Sequence, residues 1–221
     1  MNLPLISAPV ASDARVRASW CATLLWAVEG LPADEHARVP AELDAALREA
    51  VHEAGEIGWI PVGPFAAYLD ALVEVVGDEQ LFQLARAALL DSPRSPLLRR
   101  TCELAVRMFG PAGVVHGLVP AWQLVTRGCA EIRAAEGRGP HGTDQILVEF
   151  AHAPEPLAHS WAWAGLCRAW LQASLDAVDS GGLVEQRAIQ QVGTLRFSVY
   201  PRGKGERVES LSWVEWDSML A

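Results

Sequence analysis

Ala130-Glu131-Ile132-Arg133-Ala134, followed after a glycine-containing interval by Ile146-Leu147-Val148-Glu149-Phe150, is where the rhythm of apolar residues changes from helical to alternating. Ala130, Ile132 and Ala134 fall on one face and Glu131 and Arg133 on the other, and Ile146, Val148 and Phe150 repeat the pattern, so the two runs predict strands of a hairpin whose long tip spans 136–144. Pro154 and Pro156 end the hairpin. Residues 161–178 then carry Leu166, Trp170, Ala173 and Ala177 on one side of a helix, and Gly181 and Gly182 release the chain. Residues 184–191 and 195–200, around Val192-Gly193-Thr194, predict a second hairpin with Leu195, Phe197 and Val199 inward and Arg196 and Ser198 outward.

Upstream, the period is helical throughout. Ser12 and Asp13 are good caps before Val16, Trp20, Leu24 and Val28, which predict a first helix stopped by Gly30 and Pro32. Pro40 opens a second with Leu43, Leu47 and Val51, closed by Gly55. In residues 57–64, Pro61 and Pro64 bias the residues before them toward extended geometry, so this stretch reads as a shaped connector and not a helix. Phe65, Leu69, Leu72 and Val76 mark a third helix, Leu81, Leu84 and Ala88 a fourth, and Leu97, Leu98, Cys102, Ala105 and Phe109 a fifth. Pro111 opens a sixth that runs to Arg127, with Pro120 kinking or dividing it. Residues 1–11, with Pro4 and Pro9, read as an extended arm. Helices first, then hairpin, helix, hairpin, predict an α+β fold: an amino-terminal helical layer packed with a four-stranded antiparallel sheet built from two hairpins around a helix.

The chain of 221 residues holds no Ser/Gly-rich or charge-rich divider, so one α+β domain over 1–201 with a tail over 202–221 is expected. Its 18 Lys+Arg against 27 Asp+Glu give a net charge of −9, which repels a phosphate backbone; no nucleic-acid partner is expected. Arg94, Arg99 and Arg100 read as the solvated start of a helix. Every apolar run is interrupted by a charge before reaching the roughly 20 residues that cross a bilayer, so no membrane partner is expected either. Cys21, Cys102, Cys129 and Cys167 lie singly in apolar contexts, which predicts four buried thiols in a reducing, cytoplasmic setting.

Residue patterns for chemistry are sparse. The chain contains no Cys-x-x-Cys, His-x-His or His-Glu-x-x-His, so no metal site and no cofactor is expected. No Gly-x-Ser-x-Gly elbow is present, Cys167 sits in mid-helix, and the glycines of 136–142 join two strands where a phosphate loop would lead from strand to helix. The chain is therefore read as no enzyme.

The Trp59-Ile60-Pro61 connector, the following helix ending Val76-Gly77, the Phe109-Gly110-Pro111 break, and the closing pattern of helix, Gly-Gly release and hairpin over 165–199 resemble an uncharacterised delta-class bacterial paralogous family of about this length. The resemblance covers most of residues 14–200. The closing pattern is distantly similar to 4-vinyl-reductase-type and haem-NO-binding-type sensor domains, in which a helical layer and an antiparallel sheet enclose a small ligand. Where the haem-NO-binding type carries Tyr-x-Ser-x-Arg, this chain has Tyr200-Pro201-Arg202, and where the 4-vinyl-reductase type places cysteines it has Gln190, Gln191 and Leu195. The resemblance thus implies a regulatory or sensor role without haem or a cysteine-bound metal.

Nine tryptophans outnumber five phenylalanines. Trp122, Trp161, Trp163 and Trp170 lie on segments expected near the sheet, and they read either as an aromatic core or as the wall of an apolar pocket with a few polar handles. In the second reading Trp122 and Trp163 with His116, Arg127 and His159 form the ligand site. The leading expectation is a non-enzymatic regulatory or sensor domain binding a small apolar ligand, a protein partner, or both; the alternative is a protein-interaction adaptor with a fully packed core. In the tail, Leu211, Trp213 and Trp216 are candidate partner-binding residues for docking in cis or self-association in trans, a choice the sequence leaves open. Deleting residues 205–221 is expected to lower the melting temperature, change the sedimentation coefficient or abolish a partner pull-down, since each large apolar side chain gains about 1.5–3 kcal/mol on burial. A truncated chain equal to the full one in all three would overturn the docking role.

Overall fold

The computed structural model describes residues 13–55, 57–91, 95–138, 143–179, 182–187 and 192–201. The amino-terminal arm and the tail residues Leu211, Trp213 and Trp216 lie outside them. The described elements run β1 (Arg15–Arg17), α1 (Ala18–Val28), α2 (Ala33–His36), α3 (Ala41–Ala54), β2 (Trp59–Pro61), α4 (Val62–Val76), α5 (Asp78–Asp91), α6 (Ser95–Phe109), α7 (Pro111–Val125) and β3 (Thr126–Arg127). They continue with β4 (Glu131–Arg138), β5 (Asp144–Ala151), α8 (Glu155–Ala158), α9 (Trp161–Asp176), β6 (Leu183–Gln186) and β7 (Leu195–Tyr200).

The expected α+β class and four-stranded antiparallel sheet are present. The strand order is β4-β5-β7-β6, so the two hairpins join through β5 and β7, with Val148 opposite Phe197 and Phe150 opposite Leu195. Ile146, Val148 and Phe150 are buried together with Phe197 and Val199 on the inner face, as the alternation predicts. Helix α9 lies at the centre, packed on α4, α5, α6, α7 and β6. Its twelve buried residues surround the axis, and a helix apolar on nearly every side has no place but the interior. Polar bonds fix its position. Ser160 caps it by accepting from the Trp163 N–H at 3.1 Å and donates to Asp70 of α4 at 2.5 Å. Gln172 donates to the Gly182 carbonyl at 2.9 Å and accepts from the Val184 N–H at 3.0 Å, tying β6 to the helix. Arg86 of α5 pairs with Asp176 at 2.5 Å.

A second, three-stranded sheet, β2-β1-β3, is absent from the sequence reading. Val16, expected in the first helix, is strand: Arg15-Val16-Arg17 pairs with 59–61 on one side and 126–127 on the other. Val16 and Trp20 are four positions apart and both buried, so a strand leading into a helix presents the same apolar spacing as a continuous helix. The connector expectation is also corrected, because helix begins at Val62 with Pro64 in its first turn, where the missing N–H breaks no helical bond and Gly63 offers no Cβ to clash. The sixth helix stops at Val125, and the first hairpin tip is shorter than 136–144 because β4 extends to Arg138 and β5 begins at Asp144. β6 ends at Gln186, and of the remainder of the expected strand residue 187 is not strand while 188–191 lie outside the described residues. Ser198, expected to face solvent, is 1% exposed, enclosed by Gln145 and Arg187, which donate to its Oγ at 2.6 and 2.7 Å. Trp161 is 61% exposed at the start of α9, whereas Trp122, Trp163 and Trp170 are buried.

All four thiols are buried. Desolvation pushes Cys102 up to about 11 and Cys129 up to about 12, and it raises Cys21 and Cys167 as well. Cys129 also donates from Sγ to the carbonyls of Arg15 (3.3 Å) and Arg127 (3.6 Å), clipping β1 to β3.

Two outcomes follow from this packing. Replacing Trp170, which contacts the Trp122 ring at 5.2 Å, by Ala is expected to cost roughly 3–5 kcal/mol in chemical denaturation, and an unchanged midpoint would place it at the surface. The raised thiols bind protons more tightly folded than unfolded, so their contribution is intact below the unfolded value of about 8.5 and is lost as pH climbs toward the folded values. Stability should therefore fall between about pH 8.5 and 11, and Cys129→Ala should flatten that slope by up to about 1.4 kcal/mol per pH unit; equal slopes in the two proteins would refute the linkage.

Candidate functional site

Trp122 of α7 is the hub of an aromatic cluster. Its ring meets Trp20 of α1 at 5.7 Å, Phe150 of β5 at 5.1 Å, and Trp163 and Trp170 of α9 at 5.5 and 5.2 Å. Trp20 extends the cluster to Phe65 of α4 at 6.0 Å, and Phe150 to Phe197 of β7 at 5.6 Å. Several pairs are edge-on, the geometry that places a positive ring edge against a negative face. Seven rings from four helices and two strands thus meet between the helical layer and the sheet.

The two central indoles differ in their polar handle. Trp122 donates Nε1–H to the Ala130 carbonyl at 3.2 Å, made possible by Gly128, whose left-handed φ of +64° turns the chain back toward α7 beside the Ala14 backbone. Trp163 is 0% exposed, and among the described residues its Nε1 has no acceptor. A buried donor left unpaired costs about 1–3 kcal/mol, and such groups in folded proteins call for a reason.

Of the residues expected to form a ligand site, Trp122 and Trp163 are brought together and the other three lie elsewhere. His116 is exposed on α7, 3.5 Å from Glu136. Arg127 is exposed on β3 with its guanidinium stacked on the Trp59 ring. His159 is exposed at the end of α8. Trp20 and Phe150, which the cluster includes, were legible as apolar positions of a helix and a strand, yet no local pattern connects residue 20 to residue 122.

Nothing in this interior resembles a reacting constellation. The thiols are held protonated by desolvation, and Ser160 Oγ is engaged as cap and as donor to Asp70. Among the described residues no group of three or more His, Cys, Asp or Glu side chains is arranged to hold a metal ion, and no helix is long and apolar enough to cross a membrane.

No protein-family model matches the sequence, and no curated protein matches it either. Among solved structures, 87% of the chain is similar to the whole of the Fe(II) unliganded H-NOX protein from K. algicida, at 10% identity and a TM-score of 0.48. A single-substitution variant of Tt H-NOX is similar over 89% of this chain and 99% of its own, at 15% identity and a TM-score of 0.42. A structure described under the function of heme distortion in the H-NOX family gives the same coverage and score at 14% identity. Haem does not fit this interior: the described histidines are all at least partly exposed, the buried Tyr68 hydroxyl is directed at Asp44 (3.4 Å), and tryptophan and phenylalanine rings fill the space between α7, α9 and the sheet.

Proposed function

We propose that the chain is a non-enzymatic regulatory or sensor domain, working in the cytoplasm, whose aromatic core takes up a small and largely apolar ligand with one hydrogen-bond acceptor. The observation that carries this reading is the unpaired Trp163 indole N–H inside a cluster that is otherwise apolar. An acceptor brought to Nε1 removes the penalty of the buried donor, and the surrounding rings supply contact area without further polar demands. Because the rings of both layers fill the space, a guest lodged against Trp163 parts α7, α9 and the sheet together. This is how occupancy reaches the surface.

A second reading, the protein-interaction adaptor, draws on α6. Leu104 and Met108, one turn apart, are exposed there with Phe109 at the helix end, a larger apolar display than a solvated helix needs. In this reading the core stays closed and the surface carries the function.

Native mass spectrometry of the full-length chain beside its Trp163→Phe variant distinguishes the two. The ligand reading expects a small-molecule adduct on the wild-type chain that the variant lacks, with the variant's stability changed by less than about 2 kcal/mol because the lost ring contacts offset the removed donor penalty. A wild-type chain that remains bare after incubation with the small-molecule fraction of its native extract would overturn that reading in favour of the adaptor. An adduct of haem mass would overturn the account of the interior.

A further inference from the structure

The small sheet concentrates positive charge against the trend of the whole molecule. Arg15 and Arg127 are direct cross-strand partners on β1 and β3, and Arg17 follows on the same face of β1. Like charges set opposite each other on neighbouring strands are destabilising. None of the three forms a salt bridge among the described residues, although the chain has net charge −9.

The three arginines are not equivalent. Arg17 is structural: it stacks on one side of the Trp59 ring at 3.9 Å and donates to the carbonyls of Leu124 and Ile57. Arg127 also lies over Trp59, at 4.1 Å, so its flat face is held by the indole. Among the described residues its guanidinium N–H groups have no acceptor. A guanidinium fixed by its face presents its donors at the edge, in the fork that matches the two oxygens of a carboxylate or a phosphate.

Arg127 lines an open groove of about 540 Å³ together with Gln123, Thr126, Gly128, Glu131 and His152. The volume is that of a small-molecule site. Glu131, the one acidic side chain in this lining, is engaged by Arg133 at 3.0 Å. His152 stands at the rim with a left-handed φ of 61°, a conformation costly for a residue with a Cβ and most often retained at binding sites. The groove therefore offers a pre-oriented cation, an imidazole and an amide that is uncommitted among the described residues, beside a carboxylate paired with Arg133.

We infer that this groove binds a small oxyanion, the carboxylate or phosphate head of a metabolite-sized molecule, held bidentately by Arg127. The site is separate from the aromatic interior and does not depend on a ligand there. Bidentate, charge-assisted recognition makes the fork itself decisive, since an ammonium at the same place supplies charge without the paired geometry.

Titrating the full-length chain with sodium benzoate and with inorganic phosphate at constant ionic strength, while following the backbone amide signals of residues 127–131 and 152 by NMR, tests this. Saturable shifts at these residues are expected with at least one probe. Response to benzoate alone assigns a carboxylate, response to phosphate alone a phosphate ester, and response to both the shared oxyanion. Arg127→Ala is expected to weaken binding by about tenfold or more, and Arg127→Lys, which keeps the charge over Trp59, also to weaken it. Arg107→Ala, which removes one positive charge from α6, should bind like wild type. The inference fails if neither probe saturates, if a folded Arg127→Lys binds as tightly as the wild type, or if Arg107→Ala weakens binding as much as Arg127→Ala.

Discussion

The indole of Trp122 is the contact on which the two layers agree. Its N–H is tied to the Ala130 carbonyl at the entrance to β4, and its ring touches partners on α1, α9 and β5. A side chain committed at both ends leaves little freedom to the segments around it: α7 is fixed in rotation, β4 in register, and α9 in depth. Each aromatic contact adds about 0.5–1.5 kcal/mol beyond area burial, which is modest singly and decisive when several converge on one ring. The arrangement also explains why a left-handed glycine stands at 128. Without that reversal the carbonyl of residue 130 would not return to α7.

Much of this plan was legible in the amino-acid order, because it rests on local periodicity. The alternation of Ile146, Val148 and Phe150 identified the inner face of the sheet, and the stripe containing Trp170 picked out buried positions of α9, although burial there extends round nearly the whole helix. The reading failed where the determining partner is remote. Arg15-Val16-Arg17 is too short to display a period, and it becomes a strand only because residues 59–61 and 126–127 arrive on either side of it. Ser198 alternates as a solvent-facing residue should, yet long side chains from Gln145 and Arg187 close over it. The candidate site divides in the same way. Trp122 and Trp163 announced themselves by composition, whereas the separation of His116, Arg127 and His159 from them depends on how helix ends and strands are carried in space.

Polarity is placed with economy around the central helix. Ser160 and Gln172 each use donor and acceptor at once, so these two buried polar side chains also anchor neighbouring elements. Against that background the bare Trp163 nitrogen is an exception within a region where other such groups are paired, and the arginines of the small sheet are an exception to the acidic surface. One exception lies in the aromatic interior, the other on the small sheet of β1 and β3.

The remote pairing of β1 carries a consequence for how the chain is made. At about 5–20 residues per second, the ribosome delivers α9 roughly 7–30 s after α1. Until then the apolar faces of α4 and α5 have no central helix to cover them. Over the earlier part of that interval, before residues 126–127 are made, β1 has β2 on one side and an open edge on the other, and the nascent amino-terminal half is a partly assembled helical layer. Translation speed and chaperone access across the first 160 residues are therefore part of what determines the yield of the native protein.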